Sequence, residues 1–299
     1  MNGMTRREFS AALAALAVWL PTRTRAMAAL SQGPKLLEVS RGPSKVTILG
    51  FGDARDDSWF SPKVRAAFDG CNQLWLETVP PFLAAPQSPA VLRRIDNLRH
   101  TKGKTFLDWL TPDVRTRAAK RIADLQIAQN DIASLRPWAG YYLIMSAYYR
   151  RHPQAETKYV DEFLARRAVS QNMKIGFELP SSEAFVERMA QLSPAVQNEY
   201  VSWLLSYLDD QDKGIKEPKP YDWVTGQPAA MTRSLKRMID MPRLYKAMQT
   251  RRNEWWANKV VELLKSGGRY FIGIGLLHVM GPSSIPNRLR ALHENVYES

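Results

Sequence analysis

The sequence is short of cysteine and of long apolar runs. Cys71 is the sole cysteine in 299 residues, so no intramolecular disulfide can form. Apart from a weakly apolar run at residues 11–20, no segment approaches the ~20 apolar residues that span a bilayer. The motifs H-E-x-x-H and G-x-S-x-G are both absent, which removes support for the common zinc-protease and serine-hydrolase sites. An apolar content of 45% is sufficient for a full core.

The first 28 residues are predicted to be an export signal outside the fold. Arg6 and Arg7 precede the weakly apolar run, and residues 26–28, Ala-Met-Ala, have the small side chains that a signal peptidase requires. The alternative is an ordinary basic start to a cytosolic helix. Paired arginines before a modest apolar region are typical of a twin-arginine signal. We therefore expect cleavage and an exported or periplasmic protein without a permanent membrane anchor.

The chain is basic, with a formal net charge of +13. Residues 1–28 contain four arginines and one glutamate, a net +3, so their removal leaves +10. Positive side chains are scattered along predicted helices, as at residues 115–121 and 233–237, and form no stripe interleaved with base-stacking aromatics. This distribution favours a solvated basic surface facing an anionic envelope. We expect peripheral envelope association and no nucleic-acid partner.

Four apolar segments are predicted strands, and each ends at or near a side chain that can carry charge. The strands are residues 45–50, 72–77, 173–178 and 269–277, and the side chains are Asp53, Glu77, Glu178 and His278. A helix over residues 61–68 joins the first two strands in a βαβ unit. Ligands of open α/β sheets collect at the carboxyl ends of strands. If the strands are parallel, these four side chains converge at one edge.

Helical periodicity covers most of residues 89–245. Thr111-Pro112 and Arg136-Pro137 mark helix starts, and the aromatic run at residues 138–149 is interpreted as core. Apolar side chains from Phe185 to Leu204 keep the spacing of one buried helix face.

The predicted fold is α/β, with a central, mainly parallel sheet. Its sheet core comes from residues 45–85 and 250–299, and residues 89–245 form a helical insertion that contributes one strand near 173–179. A helix at residues 251–265 leads into the last long strand, and a short helix at 285–292 precedes an edge strand. Residues 29–299 are expected to form one domain.

Two glycine motifs at strand ends carry the chemical hypothesis. Gly50-Phe-Gly-Asp53 and Gly275-Leu-Leu-His278 each place glycine three residues before a titratable group. Together with Glu77 and Glu178, Asp53 and His278 form a mixed oxygen and nitrogen set. Such a set suits Mn²⁺, Co²⁺, Fe²⁺ or Zn²⁺, or general acid and base catalysis on a polarised carbonyl.

Structural alternatives exist for each of these residues. His278 can cap a backbone carbonyl, Asp53 can form an Asx turn, and the two glutamates can pair with arginines such as Arg252. Gly50-x-Gly52 also imitates a dinucleotide fingerprint. The third glycine position is arginine, and the helix starts too late to hold a pyrophosphate. No nucleotide cofactor is expected. A non-catalytic binding protein that uses the same strand-end pocket remains an alternative.

In their order and spacing, these motifs resemble the TraB/GumN family, which includes the Tiki proteases. Members share a strand ending in G-x-x-H, a second strand ending in glutamate, a helical insertion, and an R-N helix before a second G-x-x-H. The matching residues are Glu77, Arg252-Asn253, Gly275 to His278, and the segments 105–110, 136–138, 160–164 and 177–179.

The resemblance implies a metal-dependent hydrolase of peptide or amide bonds in an unidentified protein or peptide substrate. Asp53, Glu77 and His278 would hold the metal or its water, with one carboxylate as general base. Arg252 would orient Glu77 or stabilise an oxyanion, with Glu178 and Asn253 as supporting residues. The first family histidine is replaced by Asp53, which predicts either an altered metal preference or a degenerate site.

Overall fold

The structure is a computed structural model. It describes residues 33–52, 54–152, 159–215, 222–226 and 232–299. The predicted export signal and Asp53 lie outside these residues, so both remain predictions.

One six-stranded sheet forms the centre of the described chain. Its strands are β1 (Leu36–Arg41), β2 (Ser44–Phe51), β3 (Gln73–Thr78), β4 (Lys174–Leu179), β5 (Arg269–Gly275) and β6 (Val296–Glu298). The order across the sheet is β4-β3-β5-β2-β1-β6. The four strands from β4 to β2 are parallel, whereas β1 is antiparallel to β2 and β6 is antiparallel to β1. The predicted α/β class and mainly parallel sheet are confirmed.

The last long strand, β5, occupies the middle of the parallel part. Gly273 lies opposite Leu49 of β2 on one side and Leu76 of β3 on the other. Tyr270 to Ile274 are all buried, as expected for a strand covered on both faces. The predicted βαβ unit is therefore present with one difference, because β5 separates its two strands.

The first strand was not expected from the sequence. β1 and β2 form a hairpin whose turn is Gly42-Pro43, with Arg41 opposite Ser44. Gly42 has φ +56°, a left-handed conformation that favours glycine. This hairpin extends the sheet beyond β2 and gives the predicted C-terminal edge strand, β6, its partner.

The described chain contains twelve α-helices. They are α1 (Pro62–Asp69), α2 (Pro89–Arg99), α3 (Pro112–Asp124), α4 (Gln129–Ile132), α5 (Pro137–Arg151), α6 (Val160–Ser170), α7 (Ser182–Ala190), α8 (Pro194–Asp212), α9 (Thr232–Ile239), α10 (Pro242–Tyr245), α11 (Arg251–Lys265) and α12 (Ile285–Ala291). The predicted start of α1 is confirmed, since the Ser61 side chain accepts a hydrogen bond from the Val64 amide.

The two faces of the sheet bury different helices. On one face, α1 and α6 pack on Leu74, Leu76 and Phe271. On the other face, α11 and α12 pack on Ile48, Ile272 and Ile274. No helix of the described residues is long and apolar enough to cross a membrane.

The helical region has its own core, centred on α5 and α8. Tyr141 of α5 stacks on Tyr200 of α8 with ring centroids 3.9 Å apart. The expectation of one continuous helix face from Phe185 to Leu204 is wrong. Ser193 caps a new helix at Pro194, so α7 and α8 are separate helices, and both contribute to the same core.

Candidate functional site

Three of the four predicted strand-end residues meet at the carboxyl edge of the parallel strands. Glu77 and Glu178 lie near the ends of the neighbouring strands β3 and β4. His278 lies after the end of β5, in a 3₁₀ turn formed by Leu276–Val279. This turn, rather than the strand itself, carries the imidazole at the site. The fourth residue, Asp53, lies outside the described residues.

Arg252 joins the two glutamates. It is in the first turn of α11, and its Nη2 donates to Glu77 Oε2 at 2.5 Å and to Glu178 Oε2 at 2.6 Å. Its Nε donates to Glu178 Oε1 at 2.9 Å. This two-atom contact with Glu178 is the geometry in which a guanidinium recognises a carboxylate most specifically. The predicted pairing of Arg252 with both glutamates is present.

Glu178 is the most enclosed charged group of the site. Its side chain has no exposed surface, and three donors surround it. Besides Arg252, they are Arg188 of α7 at Oε1 and the Trp256 indole nitrogen, 2.9 Å from Oε2. A buried carboxylate requires such compensation because its desolvation costs several kcal/mol. Glu178 therefore holds Arg252 in place.

The ion-pair cluster shifts the pKa values of its members. Burial by itself raises the pKa of Glu77, but the Arg252 charge, the adjacent His278 and a hydrogen bond from the Gly275 amide outweigh it and hold the pKa well below its ordinary value. Burial likewise opposes ionisation of Glu178, and hydrogen bonds from Arg252 and Arg188 outweigh it, so its pKa is also lowered. Both glutamates are carboxylates at neutral pH.

Glycine at the end of β5 lets Glu77 approach the backbone. The Gly275 amide donates to Glu77 Oε1 at 2.5 Å, and a Cβ at this position would lie 3.0 Å from that oxygen. Gly50 of β2 has a related role, because a Cβ there would overlap the Val279 side chain. The glycines of both motifs therefore make room for the carboxylate and for the turn that carries His278.

Glu77 also faces the imidazole. His278 Nε2 lies 3.4 Å from Glu77 Oε2, and the His278 side chain is only 4% exposed whereas Glu77 is 23% exposed. The pair is thus enclosed on the histidine side and open to solvent on the glutamate side. Solvent therefore reaches the pair through Glu77.

Asn253 fixes the orientation of the imidazole. Its amide nitrogen donates to the Ser283 carbonyl at 2.8 Å, so its oxygen faces His278 Nδ1 at 2.5 Å. An amide oxygen only accepts, and therefore His278 carries its proton on Nδ1. In neutral His278, the lone pair is on Nε2, toward Glu77. A histidine that holds a metal or accepts a proton is commonly oriented in this way.

A π-helical turn precedes the Arg252-Asn253 pair. Residues Lys246–Thr250 form this turn, and α11 begins directly after it. Tyr245, just before the turn, accepts hydrogen bonds from the Ser283 amide at 3.2 Å and hydroxyl at 2.6 Å. Such π turns often occur at functional sites. Tyr245 thus connects the segment that leads into α11 with Ser283, whose carbonyl accepts the hydrogen bond from Asn253.

Three residues of the site had no role in the sequence-based hypothesis. Arg188 and Trp256 complete the surroundings of Glu178. Trp256 follows Arg252 by four residues and so lies on the same helix face, a signal that could have located it, whereas nothing local in the sequence marks Arg188. Asp161 belongs to the segment 160–164, which resembles the family but implied no role for this residue. Burial raises the pKa of Asp161, hydrogen bonds from backbone amides oppose the rise, and the nearby charge of Glu77 adds to it. The charge of Asp161 is therefore coupled to that of Glu77.

Glu77 and His278 have the chemistry of metal ligands. Two ligand atoms bonded at ~2.1 Å to a tetrahedral ion lie about 3.4 Å apart, and the separation of Glu77 Oε2 from His278 Nε2 is 3.4 Å. The described residues contain no group of three His, Cys, Asp or Glu side chains that could hold a metal ion. The two donors match one ion in type and spacing, but Arg252 Nη2 donates to the same Glu77 oxygen and the described residues supply no third ligand.

The fold and site define an α/β protein in which a buried arginine–carboxylate cluster and an oriented histidine meet at the carboxyl edge of a parallel sheet. The family model described as the TraB/PrgY/gumN family matches residues 36–294. The chain therefore belongs to this family, as its motifs predicted. Neither a search of curated proteins nor a search of solved structures found a match.

Proposed function

We propose that this protein is an exported, metal-dependent hydrolase of peptide or amide bonds. The observation that carries the proposal is the facing pair of Glu77 and His278, 3.4 Å apart at the edge where α/β proteins bind ligands. Membership of the TraB/PrgY/gumN family supports the same assignment. The twin-arginine pattern at Arg6 and Arg7 supports export.

In this proposal each residue has a separate task. His278 Nε2 and Glu77 would hold a divalent ion, with Asp53 as the expected third ligand. The bound ion would supply a water of lowered pKa and polarise the substrate carbonyl. Asn253 keeps the Nε2 lone pair directed at the site, since the proton stays on Nδ1. Arg252 keeps Glu77 ionised and positions it.

Glu178 acts on the reaction through Arg252. It balances the guanidinium charge, so a cation beside Glu77 meets an arginine that is already paired. Manganese, cobalt, iron and zinc all accept mixed carboxylate and imidazole ligands. The replacement of the family histidine by Asp53 favours the harder ions of this group.

A non-catalytic binding protein is the second proposal. It is favoured by the Arg252 contact itself, because the guanidinium already occupies the Glu77 oxygen that faces His278. In that case the same edge of the sheet would hold a ligand or peptide without turnover.

Metal content and peptidase activity of the mature protein distinguish the two proposals. The wild type, His278→Ala and Glu77→Gln are compared, with His293→Asn as the control, because His293 is an exposed histidine away from the site. A hydrolase is expected to retain about one ion per chain and to cleave a quenched fluorescent peptide mixture when Mn²⁺, Co²⁺, Fe²⁺ or Zn²⁺ is added. The two site variants lose both properties, and the control keeps them. Negligible metal in all four proteins, with no stimulated cleavage, would support the binding protein.

A further inference from the structure

Ser283 binds three side chains of one helical segment. Residues 242–265 form α10, the π turn and α11 in direct succession, with helical backbone at both junctions. The Ser283 amide and hydroxyl donate to the Tyr245 hydroxyl at 3.2 Å and 2.6 Å, and the Ser283 carbonyl accepts from the Asn253 side chain at 2.8 Å. Thr250 Oγ1 also lies 3.4 Å from the Ser283 hydroxyl. One serine therefore connects Tyr245 with Asn253.

The π turn brings Tyr245 and Asn253 to the same side of the helix. The two residues are eight positions apart, and at ~100° per residue a regular α-helix would leave them about 80° apart. A π turn takes one more residue per hydrogen-bonded turn than an α turn. Eight positions therefore advance the helix by about the rotation of seven, ~700°, which is about 20° short of two full turns. Both side chains can thus reach Ser283.

The hydrogen bonds between Ser283 and His278 have one consistent direction. A backbone carbonyl only accepts, so Asn253 turns its amide nitrogen toward Ser283 and its oxygen toward His278. The direction of the Ser283 carbonyl therefore decides which atom of Asn253 faces the imidazole. Arg288 Nε donates to this carbonyl at 3.2 Å, whereas Tyr245 binds the amide and hydroxyl of the same serine. Tyr245 thereby restrains the rotation of the residue that orients Asn253.

We propose that Tyr245 is a positioning residue of the candidate site. It acts through Ser283 and Asn253 on His278, whose Nε2 lone pair it keeps directed into the site. The inference rests on the proposed function and deepens it, because it names a distant residue that prepares the histidine for an ion or a proton. Without the Tyr245 hydroxyl, the Ser283 carbonyl can turn away. The Asn253 amide can then rotate, and neutral His278 can move its proton from Nδ1 to Nε2.

The position of the His278 proton tests the inference without an assay of catalysis. The metal-free protein is labelled with ¹⁵N-histidine, and ¹⁵N NMR spectra are recorded at a pH at which the imidazole is neutral. The spectrum of His278→Ala identifies the His278 signals. We expect the Nδ1–H form to dominate in the wild type. Tyr245→Phe should lower the ratio of the Nδ1–H form to the Nε2–H form about fivefold, the change that corresponds to one net hydrogen bond.

Tyr149→Phe is the matched control. Tyr149 is also half-buried, and its hydroxyl lies 3.1 Å from that of Tyr207 in the helical core. This variant should keep the wild-type ratio, and the melting temperatures show that both variants are folded. If Tyr245→Phe does not fold, Ser283→Ala takes its place, since it removes only the 2.6 Å bond and should lower the ratio in the same direction.

A double variant tests the route through Asn253. Because Tyr245 acts on the imidazole by way of this amide, adding Tyr245→Phe to Asn253→Ala should not change the ratio further. A further fall of the ratio in the double variant overturns the proposed route.

The outcomes separate this inference from the proposed function. A lower ratio in Tyr245→Phe, with Tyr149→Phe unchanged, supports the positioning role even if the protein retains no ion and cleaves no peptide. An unchanged ratio in the folded Tyr245→Phe variant, or in Ser283→Ala where it takes its place, overturns the role, whatever the peptidase assay shows. An equal fall in Tyr149→Phe also overturns it, because a general loosening of the fold would then move the proton.

Discussion

Replacement of Arg252 by methionine should strongly destabilise the protein. The Glu178 side chain has no exposed surface, and the Arg252 side chain is only 15% exposed. Removing one partner of a buried ion pair costs about 3–5 kcal/mol, because the remaining charge is left uncompensated. Arg188 still contacts Glu178 in the variant, so we expect the lower end of this range, about 3 kcal/mol.

The stability lost in the Arg252→Met variant should depend on pH in a defined direction. The pKa values of Glu77 and Glu178 are lowered by folding. Carboxylates of this kind contribute stability above their unfolded pKa, ~4.3 for glutamate, and lose it as the pH falls toward the folded pKa. Without Arg252 this contribution is largely absent. The stability difference between wild type and Arg252→Met is therefore largest at neutral pH and decreases below about pH 4.3.

Urea unfolding followed by circular dichroism from pH 3.5 to 7.5 measures this difference. Arg251→Met is the matched control, since Arg251 is the exposed neighbour on the same helix, and its effect should stay within about 0.5 kcal/mol. A loss below about 1 kcal/mol at pH 7 for Arg252→Met, or a loss that does not change with pH, would refute the reasoning. The cluster would then be too well hydrated to behave as a buried ion pair.

The Asn253→Ala variant should lower metal affinity about 10–100-fold, and ¹⁵N NMR should show the His278 proton leaving Nδ1, whereas an unchanged tautomer contradicts the assigned orientation. Burial raises the pKa of Cys71 to about 11, so iodoacetamide at pH 8 should react with it at least ~100-fold more slowly than with a free cysteine peptide. In Gly140→Ala, the higher helix propensity of alanine should stabilise the fold by ~1 kcal/mol, but the new Cβ overlaps the buried Phe106 ring. Overpacking costs about 1–3 kcal/mol, so thermal unfolding should show net destabilisation.

The sequence predicted the convergence at the sheet edge because it depends on a local rule. Glu77, Glu178 and His278 each follow an apolar strand, and parallel strands end at the same edge. Nothing local indicates which strands are neighbours. The position of β5 between β3 and β2 depends on nonlocal pairing, for example of Gly273 with both Leu76 and Leu49.

Other differences between the predicted and the observed structure arise from contacts between distant parts of the chain. Arg188 reaches Glu178 because α7 folds back over the end of β4, and its helical periodicity does not show this. The hairpin strand β1 was missed although Gly42-Pro43 is a turn signal, because its six residues are too short to show a clear alternation. The split at Ser193-Pro194 was also missed, since α7 and α8 keep their apolar side chains in one core.

The central place of β5 has a consequence for how the protein is made. Glu77 and its hydrogen-bond donor Gly275 are 198 residues apart, and the ribosome delivers the second of them only after the whole helical region has been made. Until then, the inner edges of β2 and β3 have no partner strand between them. The Glu77–His278 pair is thus absent from every nascent chain that ends before β5, and a truncation before β5 removes the pair together with the strand that joins the two halves of the sheet.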